Sequence, residues 1–187
     1  MTTSTFAQWL RAQPALAGSA PPFDPATLPD NPDELFESWI RGAADAGVAE
    51  PHAATLATVD VDGRPDARTL ILKDVGPAGW AVAGPRSSAK GAQLAENPVA
   101  ALAFWWQPIV RAVRVRGVVR EASSEESAAD LAARSSSARQ MVEADDWVKW
   151  WLEPDRVEFW QGSPDRRHIR VVYELSDGSW RRSTPQD

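Results

Sequence analysis

Hydrophobic and polar residues alternate with a period of two over much of the chain beyond residue 53, a spacing that predicts β-strands. The predicted strands cover 55–61, 66–73, 80–83, 99–106, 110–120, 156–161 and 170–175, with a last strand around Trp180. Asp62-Gly63 and Asp177-Gly178 are typical hairpin turns between consecutive strands. Because no sustained β-α-β alternation is present, the pattern predicts a mainly β protein, a closed or nearly closed antiparallel barrel with peripheral helices.

Apolar positions three and four residues apart predict helices before and between these strands. Leu35, Phe36 and Trp39 share one face of the most strongly amphipathic one. The pairs Ser87-Ser88 and Ser123-Ser124 are typical of the starts of two more. The predicted helices are a short one that carries Phe6, Trp9 and Leu10 and is capped by residues 2–5, and then 33–48, 87–96, 123–138 and a Trp-rich segment over 141–152.

The N-terminal 32 residues differ in composition from the rest of the chain. Pro14, Pro21, Pro22, Pro25 and Pro29 fall close together there, which favours a linker or a strapping arm over a folded unit. We therefore divide the chain into an arm over 1–32 and one domain over 33–187.

The composition narrows the possible chemistry. The chain has no cysteine, which excludes disulfides, a thiol nucleophile and Cys-ligated metals. With only two histidines, His52 and His168, we expect no metal site and no histidine relay. The net charge of −6 argues against nucleic acid or an anionic membrane as partner. No apolar run reaches the ~18 residues of a membrane helix and no signal-peptide pattern begins the chain, so we expect a cytoplasmic protein.

Common catalytic motifs, such as the dinucleotide fingerprint, the P-loop and the nucleophile elbow, are absent from the sequence. Two cationic segments remain in the first half of the domain. Arg68 and Lys73 lie at the two ends of an apolar strand. They either bind an anion at the mouth of the barrel or are simply charged strand ends exposed to solvent. Ser87, Ser88 and Lys90 begin a helix, where free N–H groups and a cation suit an anion, although a plain serine cap explains them too.

The third cluster is the densest. Arg166, His168 and Arg170 alternate, so in an extended segment they would share one side, next to the large ring of Trp160. Adjacent cations repel unless they hold an anion or carboxylates. The cluster is therefore either an anion site or a surface salt-bridge cluster, and the three together suggest a phosphorylated planar ligand.

The run from Val157 to Arg170, VEFWQGSPDRRHIR, closely resembles the C-terminal signature of the pyridoxamine 5′-phosphate oxidase family. The resemblance extends in order over residues 33–185, through the Asp62-Gly63 hairpin and the 68–73 strand. It implies an FMN-binding split β-barrel, antiparallel, that forms a homodimer with the site at the interface. Members oxidise pyridoxine or pyridoxamine 5′-phosphate, passing hydride to flavin N5, and oxygen reoxidises the flavin; the flavin carries the redox chemistry.

The resemblance also implies residue roles. The FMN contacts it implies are Arg68, the backbone of Thr69, Leu70, Ile71 and Leu72, then Lys73, Gly84 and Lys90, with Trp160 and Arg170 from the partner subunit. Lys73 and Arg134 would also meet the substrate. Arg166 and His168 resemble the catalytic pair that faces the substrate ring, with Arg166 orienting it.

Several positions depart from the family pattern. Ala89 stands where an Arg usually meets the FMN phosphate, and Ala112 where a Gln usually meets the flavin. Asp130 and Ala138 replace a Tyr and a Ser that accompany the substrate-phosphate Arg, and Ile169 replaces an acidic or amide residue. Losing one charge-assisted phosphate contact costs roughly 1.5–3 kcal/mol, which FMN binding can survive.

These departures leave three readings of the function open. The first is an oxidase of pyridoxine or pyridoxamine phosphate. The second is a related flavin oxidase for another planar aromatic substrate, such as a phenazine precursor. The third is a protein that binds a flavin, a deazaflavin or pyridoxal phosphate without turnover.

Overall fold

The computed structural model describes residues 5–185, and within this range no helix is long and apolar enough to cross a bilayer. The helices are α1 (Thr5–Arg11), α2 (Pro32–Asp45), α3 (Ala89–Glu96), α4 (Ser124–Ala132) and α5 (Ser136–Arg139). The strands are β1 (Ala53–Val59), β2 (Pro65–Ile71), β3 (Asp74–Gly76), β4 (Gly79–Pro85), β5 (Val99–Trp106), β6 (Arg111–Glu121), β7 (Trp147–Gln161), β8 (Ile169–Ser176) and β9 (Ser179–Ser183).

The strands form a closed antiparallel barrel. Hydrogen-bonded neighbours follow the order β2-β1-β5-β6-β7-β4-β3. Only Leu72 and Lys73 separate β2 from β3, and their N–H groups donate to the carbonyls of His52 (2.9 Å) and Ala81 (2.8 Å). The chain from β2 into β3 therefore joins both edges of the sheet. The predicted mainly β, antiparallel barrel with peripheral helices is confirmed.

The 15-residue strand β7 divides the sheet into two parts. Its first half pairs with β4 and its second half with β8, while β6 runs along both halves. The register shifts between Arg116 and Gly117 of β6, where β7 has the extra residue Asp155, and a Cβ on Gly117 would lie 1.9 Å from the carbonyl oxygen of Glu153. The β8–β9 hairpin therefore extends the sheet from the second half of β7 only, which gives the split form, and Val171 and Tyr173 of β8 belong to the same core as the barrel.

Helix α2 closes one end of the barrel with aromatic side chains. Asn31 caps it by accepting from the N–H of Asp33, and Phe36 packs at ring-centroid distances of 4.1 Å from Trp80 and 5.1 Å from Phe104. The indole N–H of Trp80 donates to the Asp33 carboxylate at 2.9 Å. Burial raises the pKa of Asp33, against the effect of that bond. The predicted helix over 33–48 is thus present, three residues shorter at its end.

The N-terminal arm lies across its own barrel. The side-chain amide of Gln161 donates to the carbonyl of Pro21 at 3.1 Å, and the Tyr173 hydroxyl donates to the carbonyl of Pro29 at 2.8 Å. Phe23 packs on the core beside α2. The short helix predicted around Phe6 is α1, and residues 2–4 of its predicted cap lie outside the described range.

The helix predicted over 141–152 is wrong. Residues from Trp147 onward belong to β7, whose inner face carries Val148, Trp150 and Leu152 and whose outer face carries Trp147, Lys149 and Trp151. Helix α4 covers that outer face, so both faces are rich in large apolar rings. The alternation that marks a half-exposed strand is therefore missing from the sequence.

The helix predicted over 123–138 is also wrong in its second half. α4 ends at Ala132, and α5 begins at Ser136 behind a new cap, where Ser135 Oγ accepts from the N–H of Ala138. Serine side chains compete with the helical backbone for hydrogen bonds, so the run Ser135-Ser136-Ser137 favours an interruption.

Candidate functional site

Arg68 lies at one mouth of the barrel, where α3 covers β1 and β2. It shares the inner side of the wall with Thr58, whose hydroxyl accepts from its guanidinium. The same group donates to Gln93 of α3 at 2.9 Å and pairs with Asp66 at 2.7 Å. Its side chain is 23% exposed. The hydrogen bond from Gln93, before the charge of Arg68, lowers the pKa of Asp66. Arg68 is thus held rigidly with one edge open.

Lys90, in the first turn of α3, lies beside Arg68. Its ammonium donates to Ser88 Oγ at 2.9 Å and lies 5.7 Å from the centre of the Trp150 ring. Burial, and then the charge of Arg68, lower the pKa of Lys90. A Cβ on Gly84 would lie 2.3 Å from Lys90 Nζ, so the glycine provides the space that the ammonium fills. Arg68, Lys90 and Gly84, three of the predicted FMN contacts, are therefore brought together.

The turn before α3 is already occupied by acidic groups of the chain. The Ser87 N–H and hydroxyl donate to the two oxygens of Asp146, at 2.8 and 2.6 Å, which lowers the pKa of that carboxyl. The guanidinium of Arg86 makes two bonds to Glu121. Arg86 is consequently committed to Glu121 and does not replace the family's Arg, for which Ala89 stands.

The strand between Arg68 and Lys73 has two different faces. Leu70 and Leu72 pack on the hydrophobic core, while Thr69 is exposed and Ile71 is half-buried. Lys73 is exposed at the bend into β3. It lines an open groove of 990 Å³ between α2, the β3–β4 turn and the end of the β8–β9 hairpin.

A second group of predicted residues lies at the edge formed by β7 and β8. The rings of Trp160 and His168 lie 4.9 Å apart between centroids. The N–H of Ser163 donates to Nδ1 of His168 at 3.0 Å. That bond assigns the proton of the neutral ring to Nε2, so His168 presents an N–H donor on its other side.

Arg166 does not lie in an extended segment, contrary to the alternation expected for Arg166, His168 and Arg170. It occupies a tight turn with φ +63°, and its N–H donates to the carbonyl of Ser163. Left-handed backbone costs a non-glycine residue roughly 1 kcal/mol or more and recurs at functional sites. Asp165 organises the turn: bonds from the Ser163 hydroxyl and from Arg167 lower its pKa to about 2.

Arg170 is held by a buried carboxylate that the sequence analysis did not identify as part of the site. Glu158 is 3% exposed and pairs with Arg114, with Arg156 at 2.9 Å and with Arg170 at 3.7 Å. Burial alone would raise the pKa of Glu158, but the hydrogen bonds and charges of Arg114 and Arg156 outweigh it and the pKa is lowered. The available signal was a glutamate among the apolar residues Val157 and Phe159 of a predicted strand, with arginines at alternate positions of the preceding strand.

Arg134, predicted to bind a substrate phosphate, lies outside both groups. It follows α4, with its guanidinium 4.1 Å from the centre of the Trp147 ring. Asp130 accepts from the indole N–H of the same Trp147 at 2.9 Å. The departure at Asp130 is thus a bond that fastens α4 to β7, and it leaves a carboxylate close to Arg134.

Ala112 leaves a notch in an aromatic row. Trp105, Ala112, Trp160 and Arg170 are successive partners across β5, β6, β7 and β8. The rings of Trp105 and Trp160 lie 6.1 Å apart between centroids, and Trp105 is 51% exposed. The row presents flat apolar surface beside the guanidinium of Arg170.

The two groups of predicted residues lie apart in one chain. Lys90, beside Arg68, lies near Trp150 in the first half of β7, whereas Trp160 is ten residues further along the same strand. Residues predicted to surround one cofactor therefore form two half-sites, one cationic and one aromatic and basic.

Comparison with known proteins places the chain in a family. A family model described as pyridoxamine 5′-phosphate oxidase matches residues 40–161, and one described as the pyridoxine 5′-phosphate oxidase C-terminal dimerisation region matches residues 147–184. The pyridoxine/pyridoxamine 5′-phosphate oxidase of Paraburkholderia phytofirmans is 36% identical over 185 aligned residues, 82% of this chain and 87% of that one. The enzyme of that name from Microcystis aeruginosa is 35% identical, over 81% of this chain and 86% of its own.

Solved structures show the same fold. PhzG from Burkholderia lata, in complex with tetrahydrophenazine-1-carboxylic acid, superposes with a TM-score of 0.83 at 24% identity, covering 91% of this chain and all of that one. An FMN-binding protein from Nostoc punctiforme, related to pyridoxamine 5′-phosphate oxidase, superposes with a TM-score of 0.70 at 19% identity, covering 81% of this chain and 97% of that one. The matching models, the relatives and the shared split barrel establish that the chain belongs to the pyridoxamine 5′-phosphate oxidase family.

Proposed function

We propose that this protein is an FMN-dependent oxidase of the pyridoxamine 5′-phosphate oxidase type that works as a homodimer. Its substrate in this proposal is pyridoxine or pyridoxamine 5′-phosphate. Family membership supports the oxidase class, and the match to a C-terminal dimerisation region supports the dimer.

One observation carries the assignment of FMN. Arg68 and Lys90 converge in a half-buried mouth of the barrel, close enough that the charge of Arg68 lowers the pKa of Lys90. Like charges held together in partial burial are costly unless an anion joins them. Asp66 balances Arg68, whereas Lys90 has no ion-pair partner within residues 5–185. The donor set therefore fits a phosphate group.

In this proposal the two half-sites come from different subunits. Arg68 and Lys90 of one copy would hold the phosphate, while Trp160 and Arg170 of the other would contact the flavin. The bound FMN supplies hydride acceptance and reoxidation by oxygen. Glu158 fixes the direction of the Arg170 guanidinium, as the 3.7 Å contact and the burial of the carboxylate indicate.

Arg166 and His168 position the substrate. The left-handed turn at Arg166 holds its backbone in one conformation, so the guanidinium starts from a fixed point. His168, with Nδ1 accepting from Ser163, offers its Nε2–H to an oxygen on the substrate ring. Charge that develops on that oxygen would then be stabilised by the Nε2–H of His168 and by the Arg166 guanidinium.

The assay is turnover of pyridoxine 5′-phosphate by the FMN-loaded protein, followed as peroxide formed and pyridoxal 5′-phosphate produced. We expect turnover that Arg166→Met lowers at least ~100-fold, as loss of one preorganised donor does. Retained FMN binding in this variant is the control. An FMN-loaded protein that oxidises neither vitamer phosphate contradicts the proposed substrate.

A second substrate class has its own observation. The exposed row of Trp105 and Trp160 with the notch at Ala112 offers a planar apolar surface, and Asp130 places a negative charge near Arg134. Both features favour a planar aromatic substrate without a phosphate. Steady-state comparison of pyridoxine 5′-phosphate with dihydrophenazine-type substrates separates the two, because efficient turnover of the phosphate excludes this alternative.

A further inference from the structure

The outer face of β7 carries a lysine whose surroundings the assigned sites leave unexplained. Trp147, Lys149 and Trp151 alternate along this face, and Glu126, Ser127 and Asp130 of α4 bind to it. Lys149 is opposite Ala83 of β4, and its side chain crosses β4 toward Asp74 of β3. Only small side chains lie beneath it, since the β4 residue opposite Asp74 is Ala81.

The ammonium of Lys149 is poorly coordinated for its burial. The side chain is 12% exposed, and its one polar contact within residues 5–185 is Asp74 Oδ2 at 3.4 Å, long for a charge-assisted bond. The ring of Trp151 supports it from one side at 4.0 Å. An ammonium has three donors, and covering it with so little compensation is unfavourable.

The neighbouring carboxylates do not complete this coordination. Glu126 is close enough that the charge of Lys149 contributes to lowering its pKa. Its two oxygens, however, accept from the Trp151 indole and the Ser123 N–H, both at 2.9 Å. Asp74 is 54% exposed and can turn to solvent. Lys149 is therefore the cation here most able to exchange its partner for a ligand.

Two of the four predicted substrate residues, Lys73 and Arg134, neighbour Lys149 through single intervening residues. Asp74 directly follows Lys73 in the chain, and Arg134 rests on Trp147, two residues before Lys149 on the same face. Of the carboxylates at this face, Glu126 and Asp130 accept from indole N–H groups, which leaves Asp74 as the ion-pair partner of Lys149.

We propose that Lys149 is a substrate-binding residue that determines specificity, taking an acidic substituent of the planar substrate in exchange for Asp74. The acidic group is a phosphate or a carboxylate, which present the same oxygen chemistry to an ammonium. This proposal rests on the proposed function, because it concerns the substrate of that site.

The test is equilibrium binding of two anionic probes to the FMN-loaded protein, measured calorimetrically without oxygen. The probes are pyridoxine 5′-phosphate and phenazine-1-carboxylate, each compared with its neutral parent, pyridoxine or phenazine. Lys149→Met should lower the affinity for the recognised anion about tenfold or more and leave the affinity for its neutral parent unchanged. The anion affected identifies phosphate or carboxylate as the source of the negative charge.

The partner variant gives the opposite sign. Asp74→Asn removes the competing carboxylate, so the recognised anion should bind severalfold more tightly. If the Lys149–Asp74 ion pair is purely structural, both variants should change the affinity for the anion in the same direction, or neither should change it. Arg64→Met, which removes an equal charge from the distant β1–β2 hairpin, controls for net charge.

The outcomes separate this inference from the proposed function. Unchanged anion binding in Lys149→Met, equal weakening in both variants, or no binding of either anion to the wild type overturns the role of Lys149. FMN affinity, followed by fluorescence quenching, should be the same in all variants. If the wild type binds no FMN, the proposed function fails, and the same titrations on the flavin-free protein still decide the role of Lys149.

Discussion

Replacing Lys90 with methionine tests whether the ammonium in the cationic half-site binds the phosphate of FMN. Methionine keeps the length and the apolar stem of the side chain and removes only the ammonium. In the structure that ammonium bonds one hydroxyl, Ser88 Oγ at 2.9 Å, and is paired with no carboxylate in the described part of the chain. Its charge is therefore available to a phosphate, and Lys90→Met should weaken FMN binding without unfolding the protein.

The expected magnitude follows from the contact type. A hydrogen bond to a charged group contributes roughly 1.5–3 kcal/mol, which is ~10- to 100-fold in the dissociation constant. The partial burial of Lys90 beside Arg68 favours the upper half of that range, because solvent screening is reduced there. Ala89 contributes no phosphate contact and Arg86 is paired with Glu121, so little compensation is at hand.

The assay is quenching of flavin fluorescence, with riboflavin as the matched ligand. Riboflavin lacks the phosphate, so Lys90→Met should leave its affinity unchanged within about twofold while FMN loses at least ~10-fold. Equal losses for both ligands would refute the assignment of Lys90 to the phosphate. They would show instead that the substitution disturbs the barrel mouth.

The same residue gives a pH dependence with a definite sign. The protonated ammonium binds phosphate and the neutral amine does not, and burial together with Arg68 lowers the pKa of Lys90 below 10.5. FMN affinity should therefore fall as pH rises through this lowered pKa, before an ordinary lysine would lose its proton. In Lys90→Met this alkaline decline should vanish, and its persistence would assign it to another group.

Three further predictions concern the site and its support. Gly84→Val should displace the ammonium of Lys90, which would lie 2.3 Å from the new Cβ. In the fluorescence titration this variant should bind FMN more weakly and riboflavin as before. Glu158→Gln should cost about 3 kcal/mol in urea unfolding at pH 7, since three arginines lose their buried partner. Because the pKa of Glu158 is lowered by folding, its stabilisation exists above about pH 4.5 and fades below it, so the variant should lose less stability on acidification. Phe36→Ala should lower the free energy of unfolding in urea by about 3–5 kcal/mol, whereas Phe6→Ala, at an exposed position, should change it by no more than about 0.5 kcal/mol.

The barrel was predictable because most of its strands are half-exposed. In β6, Val113 and Val115 face the core and Arg114 and Arg116 face solvent, and in β5 the inward set is Leu102, Phe104 and Trp106. Such alternation shows directly in the sequence. The first half of β7 has no such contrast, since α4 covers its outer face, and it was mistaken for a helix. The three-residue strand β3 is too short to give a period.

The site was predictable in its residue types and not in their partners. The cations of the Arg68 and Lys90 group were recognisable from the strand and the helix start. That Asp146 would take the donors of Ser87 depends on a contact between residues 59 positions apart, which no local pattern encodes. The turn at Arg166 was missed because its left-handed backbone is imposed by Asp165 and by the bond to Ser163, not by a glycine.

The central claim is that the two half-sites of this chain together bind FMN, one molecule per subunit of a dimer. Titration of the purified protein with FMN, followed by fluorescence quenching alongside light-scattering measurement of mass, tests it most directly. We expect saturation at one FMN per chain, micromolar or tighter affinity, and a mass near twice 20.4 kDa. A protein that leaves FMN fluorescence unquenched at micromolar concentrations, whether its mass is that of a monomer or of a dimer, would contradict this claim.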